Sequence, residues 1–319
     1  MENLTHSLAG WQIGQLGIFQ RVGPRAGLVG LVAANLPDID VLLYAWDQDL
    51  ATWQHRGFTH SAFGFPLQVL LGAEASFRWL RTGRRRDHIA LWAAGVLSHS
   101  LMDWPTTWGT QLLYPLTDHR FSAGLVFILD PAFWLLLGVL PWVLVRRRGW
   151  LRAHAAVAAL CAVLGWYATA AVGKELAESQ APEPVTVHTA PLSPFRWTGV
   201  SPATPGADTH RRYFLTPTSA EAAGSFRALD ADTRGLLEAH PAAERDLWMR
   251  VRPIVHHDRS GPAGRELAVV DLAYSSWLSP DDFRFGAAYV IDSAGVIVER
   301  DTSRVEGPAE PPAGAPAAP

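Results

Sequence analysis

Residues 124–145 read GLVFILDPAFWLLLGVLPWVLV, 22 residues carrying one charge. A helix of that length can cross a hydrocarbon core about 30 Å thick. A second apolar run, AHAAVAALCAVLGWYATAAVG at 153–173, follows the arginine-rich turn RRRGWLR. A hairpin of core helices in a soluble protein is the alternative, and two such runs side by side count against it. Composition points the same way, because charged residues make up only 18% of the chain, below the usual quarter of a soluble domain.

The chain changes character near 174–184, KELAESQAPEP. Before it the sequence is rich in Trp, Leu, Ala and Gly; after it the sequence is polar and proline-rich. Shorter apolar runs lie near 7–20, 26–36, 61–80 and 88–104. Arg21 and Arg25, then Arg78, Arg81, Arg84, Arg85 and Arg86, then Arg146, Arg147, Arg148 and Arg152 occupy alternate loops. The other loops hold only Arg56 and Arg120. Basic residues mark the cytoplasmic side, so the pattern predicts six membrane segments with both chain ends outside. MENLTHSLAG has no basic region ahead of an apolar one, so no cleavable signal peptide is expected.

The polar residues of this apolar half are His6, Asp38, Asp40, His55, His60, His99, Asp103, His119 and Asp130. Under the six-segment topology all nine fall at the outer ends of their segments. His99 and Asp103 are four apart, so a helix turns both the same way. Asp38 and Asp40 follow a proline in NLPDID; that spacing suits one carboxylate to bind a metal and the other to orient a histidine. His55 and His60, in HRGFTHS, are badly spaced for one helix face and suit a loop that runs into a helix. Thr5, Thr59 and Ser61 adjoin these residues and can hydrogen-bond them. Plain alternatives exist: Asp130 before Pro131 is also a helix cap, and His119 in TDHRF also suits an ordinary loop. With a single cysteine, Cys161, no disulfide and no cysteine metal cluster can form within the chain. A metal site would use His and Asp, which suit hard or borderline ions. The net charge of −3 gives no sign of a nucleic-acid partner.

THS at 5–7, LPDID at 36–40, HRGFTHS at 55–61 and HSLMD at 99–103 occur in that order in the YdjM-like proteins, which this sequence resembles over about residues 1–175. Those proteins are described as LexA-binding, inner-membrane-associated, metal-dependent hydrolases. A more distant likeness is to zinc-dependent phospholipases C and S1/P1-type nucleases, all-helical enzymes with a zinc cluster. The resemblance implies metal ligation by His6, His60, His99 and Asp103, with Asp38 or Asp40 close to the metal or the attacking water. It implies the bacterial inner membrane. The phospholipases complete a further zinc with a later His and a His-x-x-x-Glu pair; no such pair occurs in residues 104–174, where His119 is the only late candidate, so one or two zinc ions are expected, with manganese or another divalent metal as the variant.

Residues 183–302 read as an extracytoplasmic α+β domain. RELAVVDLAYSSW at 265–277 and FRFGAAYVIDSAGVIVER at 283–300 alternate as strands do, the second with DSAG as a hairpin turn. RYFLTP near 212–217 suits a strand, and FRALDADTRGLLEAHP at 226–241 a helix. His256 and His257 are expected in an exposed loop, and the Pro/Ala-rich tail at 303–319 is expected to be disordered. The expected architecture is thus an α-helical membrane domain of about six segments over residues 1–175, followed by a small soluble α+β domain.

The function these features suggest is metal-dependent hydrolysis of an ester or phosphoester in a lipid or lipid-linked substrate at the outer membrane face. His55 is a further candidate ligand, with His119 and Asp130 as possible ones. Asp38 or Asp40 would act as general base, and Arg56 or Arg120 would hold a phosphate. The competing reading is a non-catalytic membrane protein with a structural metal site and a partner-binding outer domain. Metal or proton transport is a third.

Overall fold

The computed structural model describes residues 1–46, 50–51, 54–148, 151–190, 195–202, 209–249, 253–262, 264–272, 282–283, 286–301, 305–306 and 309. The chain divides into two compact units, Met1–Val172 and a second built from Gly173–Ala190 and the chain from Phe195 onward.

The first unit is helical. Helix α1 (Asn3–Gln15) is followed by a 3₁₀ turn and by α2 (Ala26–Asn35). Pro37 then starts a 3₁₀ stretch, Leu36–Ala45. A short 3₁₀ turn, Phe58–His60, leads to α3 (Gly64–Leu80), and α4 covers Arg85–Asp103. Helix α5 (Pro131–Trp134) runs through a π-helical turn, Leu135–Val139, into α6 (Leu140–Arg148), and α7 covers Arg152–Ser179.

Small residues decide how closely these helices approach. A Cβ on Gly10 would lie 2.3 Å from the Gly30 carbonyl oxygen, and one on Gly30 would lie 2.2 Å from that of Gly10. Helices α1 and α2 therefore touch backbone to backbone, the contact that small residues permit. Gly95 does the same for α4, where a Cβ would lie 2.6 Å from the Ala33 Cβ. Gly95 is one helical turn before His99, so this approach delivers the His99 ring to α2. A core that includes Ile13, Phe19, Val22, Val29, Val69, Leu91, Trp92 and Val96 holds α1 to α4 together.

The expected six membrane segments are not found. Among the described residues only two stretches are long and apolar enough to cross a membrane: Ala26–Ala45, with mean hydropathy 1.6, and Arg152–Ser179, with mean hydropathy 1.9. Helix α1 has 13 residues, about 20 Å at 1.5 Å per residue, too short to span. The run at 124–145 is not one helix, since residues 124–130 are non-helical and Pro131 starts the helix. Helix α4 opens with Arg85, Arg86 and Asp87 and buries His88, His99 and Asp103. The alternating arginines were therefore a misleading guide to the number of segments.

The second unit carries an antiparallel sheet of β1 (Thr186–Thr189), β2 (Trp197–Val200), β3 (Thr209–Thr216) and β4 (Ser219–Arg227) in sequence order. Helices α8 (Ala231–Glu238) and α9 (Pro241–Met249) follow. Strands β5 (Pro253–Gly261), β6 (Gly264–Asp271), β8 (Gly286–Ile291) and β9 (Ile297–Asp301) make a second antiparallel sheet, and β7 (Asp282–Phe283) pairs with β10 (Val305–Glu306). Leu237 and Leu247 of the helices pack on Leu267, Val269 and Tyr289 of that sheet. The β8–β9 turn is held by Asp292, whose carboxylate accepts the N–H groups of Ala294 and Val296. An α+β unit is thus present, with two differences in detail. His256 and His257 lie in β5 rather than a loop, and His256 is buried. Of the expected helix at 226–241, residues 226–227 belong to β4. Most of the tail at 303–319, expected to be disordered, lies outside the described residues.

Candidate metal centre

The site is assembled where α2, α4 and the HRGFTHS loop meet. Pro37 sets Asp38 in the first turn of its 3₁₀ stretch, where helix N-terminal polarity suits a carboxylate. In the loop, Arg56 takes φ 64°, a left-handed conformation that costs a non-glycine residue about 1–3 kcal/mol. It turns the Arg56 N–H toward Asp40, donating to Oδ2 at 3.0 Å. The Gln68 side chain holds the Thr59 carbonyl at 2.5 Å, and the Ser61 hydroxyl caps the start of α3 by accepting from the Gly64 N–H.

The proton positions follow from the partners. His99 Nδ1 faces the Ala34 carbonyl at 2.6 Å. A carbonyl only accepts, so Nδ1 carries the hydrogen and Nε2 of the neutral ring is a lone pair. Thr59 Oγ1 lies 3.0 Å from Asp40 Oδ2 and 3.0 Å from His60 Nδ1. Its one hydrogen goes to the carboxylate, so it accepts from His60 Nδ1–H, and His60 Nε2 is also a lone pair. These two Nε2 atoms lie 2.9 Å apart. Two bare lone pairs would repel at this distance, so the pair is joined either by a proton on His99 Nε2, donated to His60 Nε2, or by a metal ion that takes the proton's place.

Two carboxylates complete the set. Asp38 Oδ1 is 3.4 Å from His60 Nε2 and 3.3 Å from His99 Nε2, and Asp103 Oδ2 is 3.5 Å and 3.4 Å from the same atoms. A tetrahedral site with ligands at about 2.0–2.1 Å has edges of about 3.3 Å, close to these separations. All four residues are buried. Asp103 Oδ2 is a buried oxygen whose cationic neighbour, Arg56 Nε at 3.0 Å, makes an ion pair without a well-formed hydrogen bond. Asp38, His60, His99 and Asp103 could therefore hold a metal ion, and Asp38, Asp40 and His55 form an adjoining group of the same kind.

The surroundings balance charge. Arg56 is buried, with Nε 3.0 Å from Asp103 Oδ2 and Nη1 donating to the Thr106 hydroxyl at 2.9 Å. The Met1 amino group also contacts Asp103. His6 stacks on His99 with ring centroids 3.7 Å apart, and its Nε2 is 3.2 Å from Asp103 Oδ1. Burial, then the neighbouring His99, pushes the His6 pKa down to about 3, leaving its ring neutral. Burial opposes charge on His99 too, but Asp103 and Asp38 outweigh it and raise its pKa to about 9. The carboxylates thus favour positive charge where the two Nε2 atoms meet.

The structure brings seven sequence candidates together: His6, Asp38, Asp40, His55, His60, His99 and Asp103. His55 Nδ1 lies 3.0 Å from Asp40 Oδ1, and its side chain is partly exposed. Arg120 donates to the His55 carbonyl at 2.9 Å and lies over Trp108. Two candidates stand apart. Asp130 caps α5, accepting from the Ala132 N–H and the Trp166 indole. His119 is exposed, edge-on to Phe121. The Ala34 carbonyl and Thr106 were not foreseen. A backbone carbonyl has no side-chain signature, and Thr106 in WPTTW carries no spacing signal.

The model of the YdjM inner membrane protein family matches residues 1–172. The chain belongs to that family. Its relatives include the inner membrane protein YbcI of Escherichia coli (strain K12), 37% identical over 151 residues, which cover 45% of this chain and 79% of YbcI. No solved structure matches. Family membership makes this an inner membrane protein. The matched residues coincide with the helical unit and contain every residue of the candidate metal centre; the β-rich unit lies outside the match.

Proposed function

We propose that the chain is a membrane-bound, metal-dependent hydrolase of an ester or phosphoester in a lipid or lipid-linked substrate. The observation that carries this reading is the convergence of two imidazole Nε2 atoms and two carboxylates in one buried cluster. Asp38, His60, His99 and Asp103 would hold the ion, with zinc the best match to two imidazoles and two carboxylates. A divalent ion there supplies Lewis-acid polarisation and lowers the pKa of water. His55 stands beside the site with Nδ1 directed at Asp40, which leaves Nε2 to take up or release a proton. Asp40 already serves His55, the Arg56 N–H and Thr59, which suits a positioning role. Arg56 is committed to Asp103, so Arg120 is the better candidate to meet a substrate phosphate.

Arg146 and Arg147 precede the apolar helix Arg152–Ser179, and Arg152 opens it. By the positive-inside rule its N-terminal end faces the cytoplasm and the β-rich unit is extracytoplasmic. A reporter fused to the C-terminus checks this: an activity confined to the cytoplasm overturns it.

The test of function is metal content and turnover together. The protein, purified in mild detergent, is expected to retain one or two equivalents of zinc or manganese and to cleave bis(p-nitrophenyl) phosphate or a short-chain phospholipid. Loaded protein that cleaves no ester or phosphoester supports the second reading, a structural ion. That reading has its own observation, since four protein donors already complete a tetrahedron, as in structural zinc sites.

A further inference from the structure

Away from the metal centre, the helical unit has a groove of about 350 Å³ between α1, the π-helical turn and the start of α7. It lies toward the C-terminal end of α1, at Trp11 and Gln15, whereas His6 lies near the other end. Nine residues of helix separate His6 from Gln15, roughly 13 Å.

The groove has two chemical ends. Leu8, Trp11, Leu137 and Trp142 make apolar walls, while Arg146 and Arg152 line the same groove. Both arginines are exposed, and neither makes an ion pair or hydrogen bond among the described residues. Trp142 and Arg146 are four apart, so α6 presents an aromatic surface and a cation on one face.

The π-helical turn helps form the wall. Such turns are uncommon and gather at functional sites. Here the buried Gln12 side chain donates to the Leu137 carbonyl at 2.8 Å, so the irregular backbone is stabilised from α1. Gly138 leaves space open, because a Cβ there would meet nothing nearer than Leu8 Cδ1 at 3.6 Å.

We propose that this groove binds an anionic phospholipid, with the phosphate at Arg146 and Arg152 and an acyl chain along Trp11 and Trp142. The inner membrane supplies such lipids at high local concentration, and basic pockets between membrane helices recognise anionic headgroups. Two guanidinium groups favour a headgroup that lacks its own cation. Phosphatidylglycerol fits this requirement; phosphatidylethanolamine brings an ammonium against them. The assignment is independent of the metal and of any hydrolysis.

The experiment is native mass spectrometry of the full chain, extracted from membranes in mild detergent, with lipid extraction of the same sample. The wild type is expected to retain about one phosphatidylglycerol per chain, enriched over phosphatidylethanolamine. Arg146→Gln/Arg152→Gln is expected to weaken retention about 30-fold, the effect of two interfacial cations, with metal content unchanged. Gly138→Leu fills the apolar part and is expected to displace the lipid with both arginines in place, so the proposal stays testable if the double variant folds poorly. Equal retention of the zwitterionic lipid, retention unaffected by both variants, or a lipid-free protein whose groove is covered by a second copy would each overturn it.

Discussion

The two units bury charge in opposite ways. In the β-rich unit two half-buried carboxylates, Asp246 and Asp258, meet matching donors. Asp246 accepts the Tyr289 hydroxyl at 2.6 Å and Arg300 at 2.9 and 2.7 Å. Asp258 accepts Arg265 at 2.8 and 2.9 Å and Arg227 at 3.1 Å. In the helical unit the cluster around His60 and His99 is arranged differently. His60 and His99 turn their Nε2 atoms to each other beside two carboxylates, and Asp103 Oδ2 is met by the Arg56 ion pair rather than by a well-formed hydrogen bond. Satisfied networks of charge are ordinary structure, and buried groups left incomplete call for an explanation such as an ion. The comparison separates polar residues that hold a fold from polar residues arranged for a ligand.

The largest expected effect attacks the incomplete cluster. His60→Ala/His99→Ala removes both nitrogens and is expected to abolish metal retention, read by elemental mass spectrometry. If the double variant binds as much metal as the wild type, the contrast between the units fails. A smaller effect is expected from Thr59→Val, which keeps the shape but removes the hydroxyl that orders His60. Losing such an orienting partner typically lowers metal affinity 10–100-fold, measured by competition with a chelator. An unchanged affinity would mean that Thr59 does not set the His60 tautomer.

Next is a break in a satisfied network. Asp246→Ala leaves the Tyr289 hydroxyl and Arg300 without their acceptor. Orphaning a buried partner costs about 1–3 kcal/mol, seen as a lower Tm of the full chain with metal content unchanged. A loss of metal in this variant would show that the two units are not independent in this respect.

How much of this was legible varied with the kind of signal. His99 and Asp103 were readable because helical spacing puts both on one face, and HRGFTHS was readable as a loop entering a helix. The hairpin around Asp292 was readable from its turn residues. The number of membrane segments was not, because apolar stretches that pack on one another look like apolar stretches that face lipid. Arg56 offers a second lesson. Its sequence context suits a phosphate ligand, and only the fold shows it buried against Asp103. The backbone contact of Gly10 and Gly30 was equally hidden, since nothing in one sequence says which glycines meet. His256 was misplaced for a related reason: VHHDRSG is polar enough for a loop, and burial came from neighbouring elements.

The smallest expected effect lies in acid. The hydrogen bonds from Arg265, against the penalty of burial, hold the Asp258 pKa below its ordinary value. A carboxylate whose pKa is lowered in the folded state contributes stability above its unfolded pKa, about 3.9, and that contribution disappears as pH falls through the folded value. Asp258 and Arg265 are 16% and 36% exposed, so solvent screening limits the pair to about 1 kcal/mol. Asp258→Asn should therefore lower Tm by a few degrees at pH 7, and the gap to the wild type should close as pH falls below the unfolded value and through the lower folded one, where the wild-type carboxyl becomes neutral. Metal loss in acid affects both proteins alike and drops out of the difference. A gap that persists unchanged into acid would assign the stabilisation to the shape of the Asp258 side chain rather than to its charge, and would weaken the claim that the second unit balances its charges internally.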